Sequence, residues 1–118
     1  MTSTVLLLED EILVALDIED IVGEIGHAVD GPHVSVEQGL QALENGMPDC
    51  AILDVQLKDG EVYPVADKLH EAGVPIIFHS GHADAPTLRE RYPGALVCGK
   101  PCAPSTLQQS LRQALGQD

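Results

Sequence analysis

The chain has 118 residues, 44% apolar but only 3% aromatic, with 6 basic against 19 acidic residues and a formal charge of −13. That length fits one domain around an aliphatic core. The charge disfavours nucleic acid and anionic membranes as partners, no apolar run reaches the roughly 20 residues that cross a bilayer, and no basic region precedes the N-terminal apolar stretch, so a cytoplasmic protein is expected.

Val5 to Glu9 reads as a buried first strand. Three acids, Glu9, Asp10 and Glu11, end it. Carboxylates repel at short range and are costly to desolvate, so a cation is the simplest reason for such a cluster. Apolar residues then recur at Ile12, Leu13, Leu16, Ile21, Val22 and Ile25, close to a helical stripe that stops at Gly26. A short strand at Ala28–Val29 is expected next, closed by Gly31-Pro32. Ser35 with Gln38 forms a capping box. The helix it opens turns Val36, Leu40 and Leu43 inward and ends at Gly46.

"CAILDV", residues 50–55, is a continuous apolar run broken by Asp54, as in buried parallel strands. Residues 61–73 look helical, with Pro64 near the start. "VPIIFHS" is another buried strand, and residues 84–91 suggest a short helix. "ALVCGK" is a fifth strand, and Pro104 to Leu115 a last helix with Leu107, Leu111, Ala114 and Leu115 on one face. Strand and helix alternate five times. That predicts an α/β fold, a (βα)5 doubly wound five-stranded parallel sheet of order 2-1-3-4-5. The three cysteines, Cys50, Cys98 and Cys102, are odd in number and lack a CxxC spacing. They read as separate small thiols and not as a disulfide framework.

Ligands of open α/β sheets gather at the carboxyl ends of the strands. Here those ends carry Glu9 and Asp10, then Asp54, then His79, Ser80 and Gly81, then Gly99, Lys100 and Pro101. Strands one and three are neighbours in the expected order, so three acids converge beside a hydroxyl and a lysine.

With "LLEDE" at 7–11, "ILDVQLKDG" at 52–60, "PIIFHSG" at 75–81 and "GKP" at 99–101 in this order, the whole chain resembles the receiver domains of two-component response regulators, which have the flavodoxin-like fold. "ALDIED" and "VYPVAD" are similar to a subgroup of single-domain alphaproteobacterial receivers. The resemblance implies that Asp54 is the phosphoacceptor. Mg²⁺ (or Mn²⁺) would be held by Glu9, Asp10, Asp54 and the backbone carbonyl of Gln56, a donor set that suits a hard cation. Glu11 would lie outside it, in the first helical turn. Lys100 would pair with Asp54 at rest and with a phosphoryl oxygen afterwards, and Ser80 would donate its hydroxyl to another. Gln56 and His82 would flank the hydrolytic water and tune the phosphoryl lifetime. Lys100-Pro101 is a candidate cis peptide. The implied partners are a sensor histidine kinase or phosphotransfer protein and a downstream protein target, with no nucleic acid and no membrane. Such a protein is not an enzyme beyond its own phosphotransfer and dephosphorylation. Residues 1–118 are expected to be a single receiver domain with no output domain, and numbering from a Met favours a stand-alone protein.

Three positions depart from the family. Val97 stands where an aromatic residue is common, Cys102 where Phe often follows Lys-Pro, and Lys58 where Pro often precedes Asp-Gly. These leave the phosphorylation chemistry intact and bear on the output mechanism. The rival readings differ at single positions. A haloacid-dehalogenase-type phosphatase needs a second Asp where Gln56 stands. A transition-metal sensor built on His79 and His82 lacks a third ligand. A degenerate receiver, acting as a phosphorylation-independent protein-binding module, is the alternative that stays open.

Overall fold

The computed structural model describes residues 2–116, the side chain of His82 excepted. Five parallel strands form one sheet: β1 (Thr4–Leu8), β2 (Ala28–His33), β3 (Cys50–Leu53), β6 (Ile76–Ser80) and β7 (Leu96–Gly99). Their order is β2-β1-β3-β6-β7, the expected 2-1-3-4-5 when only sheet strands are counted. Two further strands, β4 (Gln56–Leu57) and β5 (Gly60–Glu61), form a separate antiparallel hairpin. The helices are α1 (Ile12–Glu24), α2 (Val36–Glu44), α3 (Tyr63–Glu71), α4 (Ala85–Arg91) and α5 (Pro104–Ala114).

The continuous apolar runs are explained by cover on both faces. Alternate residues of each strand enter opposite cores. Val5, Leu7, Ile52 and Ile77 pack with Ala15, Ile18 and Val22 of α1 and with Leu107 and Leu111 of α5. Leu6, Leu8, Leu53 and Phe78 pack with Leu43 of α2, Val65 and Leu69 of α3, and Leu88 and Tyr92 around α4. The few aromatic rings collect on this second side. Phe78 lies 5.4 Å from Tyr92, and Tyr63 lies 6.4 Å from it. Tyr92 Oη donates to Asp67 Oδ1 at 2.6 Å, which ties the end of α4 to α3.

Four expectations are corrected. First, β2 does not close at Gly31-Pro32 but runs through it to His33. Pro32 is tolerated because β2 is an edge strand with one unpaired side. The ladder shifts register between Leu6 and Leu8. At Gly31, φ is +130° and an added Cβ would lie 2.5 Å from the Leu7 carbonyl oxygen, so the position requires glycine. Second, Ile12, Leu13 and Leu16 of α1 are 60%, 75% and 47% exposed. The buried stripe of α1 keeps the expected Ile21 and Val22 and is completed by Ala15 and Ile18. Third, the stretch before α3 is not helical from residue 61, because Gly60 and Glu61 pair with Leu57 and Gln56. Fourth, Cys98 and Cys102 are joined in a disulfide, leaving Cys50 as the free, buried thiol. The turn between them brings their Cα atoms to 5.8 Å, inside the ~4.4–6.8 Å range that a disulfide spans.

The capping box at α2 is present in a modified form. Ser35 Oγ accepts from the Gln38 N–H at 3.1 Å, while Gln38 Oε1 accepts from the Val34 N–H at 2.9 Å. Asp59, at the tip of the hairpin, adds to it by accepting from the Val36 and Glu37 N–H groups at 2.7 and 3.1 Å. The hairpin that follows Asp54 is thus docked onto the first turn of α2. Among the described residues no helix is long and apolar enough to cross a membrane.

Candidate functional site

Glu9 and Asp10 follow β1, and Asp54 follows β3, its hydrogen-bonded neighbour. The Asp54 N–H donates to the Leu8 carbonyl at 2.9 Å and the Glu9 N–H to the His33 carbonyl at 3.0 Å, so both chain ends are fixed by the ladder. One carboxylate oxygen from each of Glu9, Asp10 and Asp54 lies within 4.8 Å of the others. Glu9 is 1% exposed and Asp54 8%.

Lys100 reaches this cluster from the end of β7. Its Nζ lies 3.0 Å from Asp54 Oδ2 and 3.3 Å from Glu9 Oε1. Its own N–H donates to the Ser80 carbonyl at 2.9 Å, holding the loop against β6. The Lys100–Pro101 peptide is cis, as is Gly31–Pro32, which the sequence reading did not anticipate. Ser80 ends β6, is 2% exposed, and its hydroxyl donates weakly to the Gly81 carbonyl at 3.5 Å. Beside it His79 is 6% exposed, with Nδ1 3.7 Å from Glu9 Oε1.

Gln56 lies at the start of the hairpin, two residues past Asp54. His82 opens a 3₁₀ turn, His82–Asp84, before α4, but its side chain lies outside the described residues. Of the residues expected at the site, Glu9, Asp10, Asp54, Ser80 and Lys100 therefore meet at four adjacent strand ends. The sequence reading missed the proximity of His79 to Glu9, although alternation along β6 turns His79 toward the α1 and α5 side.

The electrostatics divide the two buried acids. Burial pushes the Glu9 carboxyl up, but His79, Asp54, the Glu11 N–H and the Lys100 charge outweigh it and bring it down to about 2. Burial and the neighbouring Glu9 charge push Asp54 up to about 6, with Lys100 opposing them. Burial pulls the Lys100 ammonium down, but Asp54 and Glu9 raise it above its ordinary value. The metal-free site thus holds one carboxyl drawn well below its ordinary range, one raised above it, and an ammonium between them.

The three converging carboxylates form a hard-oxygen donor set suited to Mg²⁺. Glu9 Oε1 is buried and has no hydrogen-bond partner among the described residues, its Lys100 contact being an ion pair. An acceptor left in that state costs free energy that a cation offsets. The residues fit the ion.

No family model matches the chain. It is 32% identical over 118 residues to the phyllosphere-induced regulator PhyR of Methylorubrum extorquens, a match covering 98% of this chain and 44% of the relative. The chain thus spans less than half the length of that curated relative. The solution structure of the receiver domain of the Erythrobacter litoralis PhyR response regulator is 28% identical, with a TM-score of 0.84 over 98% of this chain and 91% of that one. The receiver domain of a sensor histidine kinase from Pseudomonas aeruginosa, which carries a magnesium ion in its active-site cleft, shares the fold at 21% identity, with a TM-score of 0.84 over 99% and 100% of the two chains.

Proposed function

The chain is a response-regulator receiver domain, and from that premise we propose that it takes a phosphoryl group onto Asp54 from the phosphohistidine of a sensor histidine kinase or phosphotransfer protein. The observation that carries this reading is the convergence of the Glu9, Asp10 and Asp54 carboxylates within 4.8 Å, with Lys100 3.0 Å from Asp54.

In the transfer, an Asp54 oxygen attacks phosphorus and the bond from phosphorus to the donor nitrogen breaks. Glu9, Asp10, Asp54 and the Gln56 carbonyl would hold the divalent cation, which when bound offsets the charge of three phosphoryl oxygens against the acids. The Lys100 ammonium leaves its Asp54 contact for a phosphoryl oxygen. The Ser80 hydroxyl, held only at 3.5 Å, turns to donate to another. On this reading the Gln56 and His82 positions tune the later attack of water on phosphorus, which releases inorganic phosphate.

The phosphodonor is a protein on this reading. Ile12, Leu13 and Leu16 project from the first turns of α1, which begins beside Asp10. They give the site an apolar rim that a protein covers better than a small molecule does. The signal then leaves by contact with a downstream protein.

Incubation with acetyl phosphate and Mg²⁺, followed by intact mass measurement, tests the proposal. One phosphoryl mass should appear and should vanish in Asp54→Asn. Undiminished labelling of that variant overturns the assignment. A wild-type chain that stays unlabelled with acetyl phosphate and with kinases favours the phosphorylation-independent binding module instead.

A further inference from the structure

The Cys98–Cys102 bond lies outside the phosphoryl chemistry, yet the segment it closes, Gly99-Lys100-Pro101, contains the lysine of the site. Cys98 sits on β7 directly opposite His79 and is 5% exposed. Cys102 is half-buried and lines a groove of about 310 Å³ with Val14, Ile18, His79, Lys100 and Leu107. The two Cα atoms are 5.8 Å apart, where an extended chain of four steps spans about 13 Å. The fold therefore places the pair in bonding range with one sulfur open to the groove. A ring this short constrains little of the unfolded chain. Its effect is local, on the backbone either side of Lys100.

We propose that Cys98 and Cys102 form a reversible thiol–disulfide site that sets the freedom of the Lys100 loop, with low-molecular-weight disulfides such as oxidised glutathione as oxidant and the corresponding thiols as reductant. In oxidation, the Cys102 thiolate attacks the glutathione disulfide and one glutathione thiolate leaves. The Cys98 thiolate then attacks the Cys102 sulfur of the mixed disulfide, and the second glutathione leaves. Two protein thiols lose two electrons and two protons, and one oxidised glutathione becomes two reduced molecules. Reduction runs the same steps backwards, starting at the accessible Cys102 sulfur.

The bond ties the end of β7 to the residue two places beyond Lys100. Between them Lys100 keeps its N–H on the Ser80 carbonyl at 2.9 Å and its Nζ on Asp54 at 3.0 Å. Reduction frees Cys102 to move in the groove and loosens this hold. The consequence for phosphorylation rests on the phosphoacceptor reading, whereas the exchange chemistry does not. Cys50 supplies an internal control: it is 0% exposed, and burial pushes its thiol up to about 12, so it is inert in the folded chain.

The full chain is equilibrated in glutathione buffers of varied ratio, quenched with acid, unfolded, alkylated with N-ethylmaleimide and weighed. Triply alkylated protein should give way to protein alkylated once, at Cys50, as the oxidised share rises. Triple alkylation at every ratio, or a stable glutathione adduct on Cys102, overturns the site. Amide hydrogen exchange of wild type in both redox states, and of Cys102→Ser, reads the loop. The Lys100 N–H should exchange at least about tenfold faster in the reduced protein and in the variant, as expected for a local opening. Equal protection in all three overturns the link to Lys100. Neither readout uses a phosphodonor, so failed acetyl phosphate labelling counts against the phosphoacceptor reading alone.

Discussion

Replacing Asp54 with asparagine should stabilise the metal-free protein at neutral pH. Asp54 rises from an ordinary 3.8 to about 6, through burial first and the Glu9 charge second, against the pull of Lys100. A carboxyl raised on folding binds its proton more tightly in the native chain. It therefore favours the fold below about pH 4, and that contribution is lost as pH rises through about 6. At roughly 1.4 kcal/mol per pH unit, the full cost above pH 7 is about 3 kcal/mol. Solvent near the half-open site screens part of this, leaving about 1–2 kcal/mol. Asparagine keeps the volume and carries no charge, so Asp54→Asn should gain that amount at pH 7.5 and little at pH 4. Urea unfolding in the presence of chelator, at both pH values, measures it. With saturating Mg²⁺ the order should reverse, since only wild type retains all three carboxylate ligands and a ligand bound to the native state stabilises it. A variant less stable than wild type at pH 7.5 without metal, or a gain equal at both pH values, would refute the reasoning.

Three further outcomes follow from named contacts. Tyr92→Phe removes the 2.6 Å bond to Asp67 and should cost about 1 kcal/mol in urea unfolding, with the ring still packed on Phe78. Asp59→Ala removes the acceptor for two N–H groups of α2 and should cost about 1 kcal/mol, with amide exchange accelerated at Val36 and Glu37. Beryllofluoride, which mimics a phosphoryl group on Asp54, should shift amide resonances mainly within residues 80–90, and a large shift at Val97 with a new rotamer would count against that.

The sheet was legible because burial on both faces writes each strand as an unbroken apolar run, and each run ends where chemistry begins. Asp54 interrupts "CAILDV", and Ser80 and Lys100 close runs of the same kind. Periodicity is silent where two residues suffice for a strand, so the Gln56–Glu61 hairpin went unseen, although Asp59-Gly60 is turn chemistry. That Asp59 caps α2 is a tertiary contact across 22 and 23 residues, which no local motif encodes. The stripe of α1 misled because Ile12, Leu13 and Leu16 are apolar without being core. The disulfide escaped because a separation of four carries no signal until a turn folds Cys102 back toward Cys98.

Motif reading also stops short of the path from Asp54 to the surface, and packing extends it. Ser80 is separated from α4 by Gly81 and the 3₁₀ turn at His82–Asp84. The far end of α4 is anchored, since Tyr92 bonds Asp67 and the Arg91 guanidinium lies 4.4 Å above the Tyr63 ring. If phosphorylation of Asp54 draws in the Ser80 hydroxyl as proposed, a helix held at one end and pulled at the other pivots. Room for that exists, because a cavity of about 310 Å³ lies among Gly81, Ala85, Pro86, Arg89 and Val97. Val97 is too small to fill it, and as a β-branched residue it has a restricted χ1. Nothing in that geometry obliges β7 to move when α4 does. The aromatic residue common at this position in receivers would occupy the space and couple the two. On the phosphoacceptor reading, valine there would direct the free energy of drawing in Ser80 into the loop and the N-terminal end of α4, the region where the beryllofluoride shifts are expected and where a partner would read it.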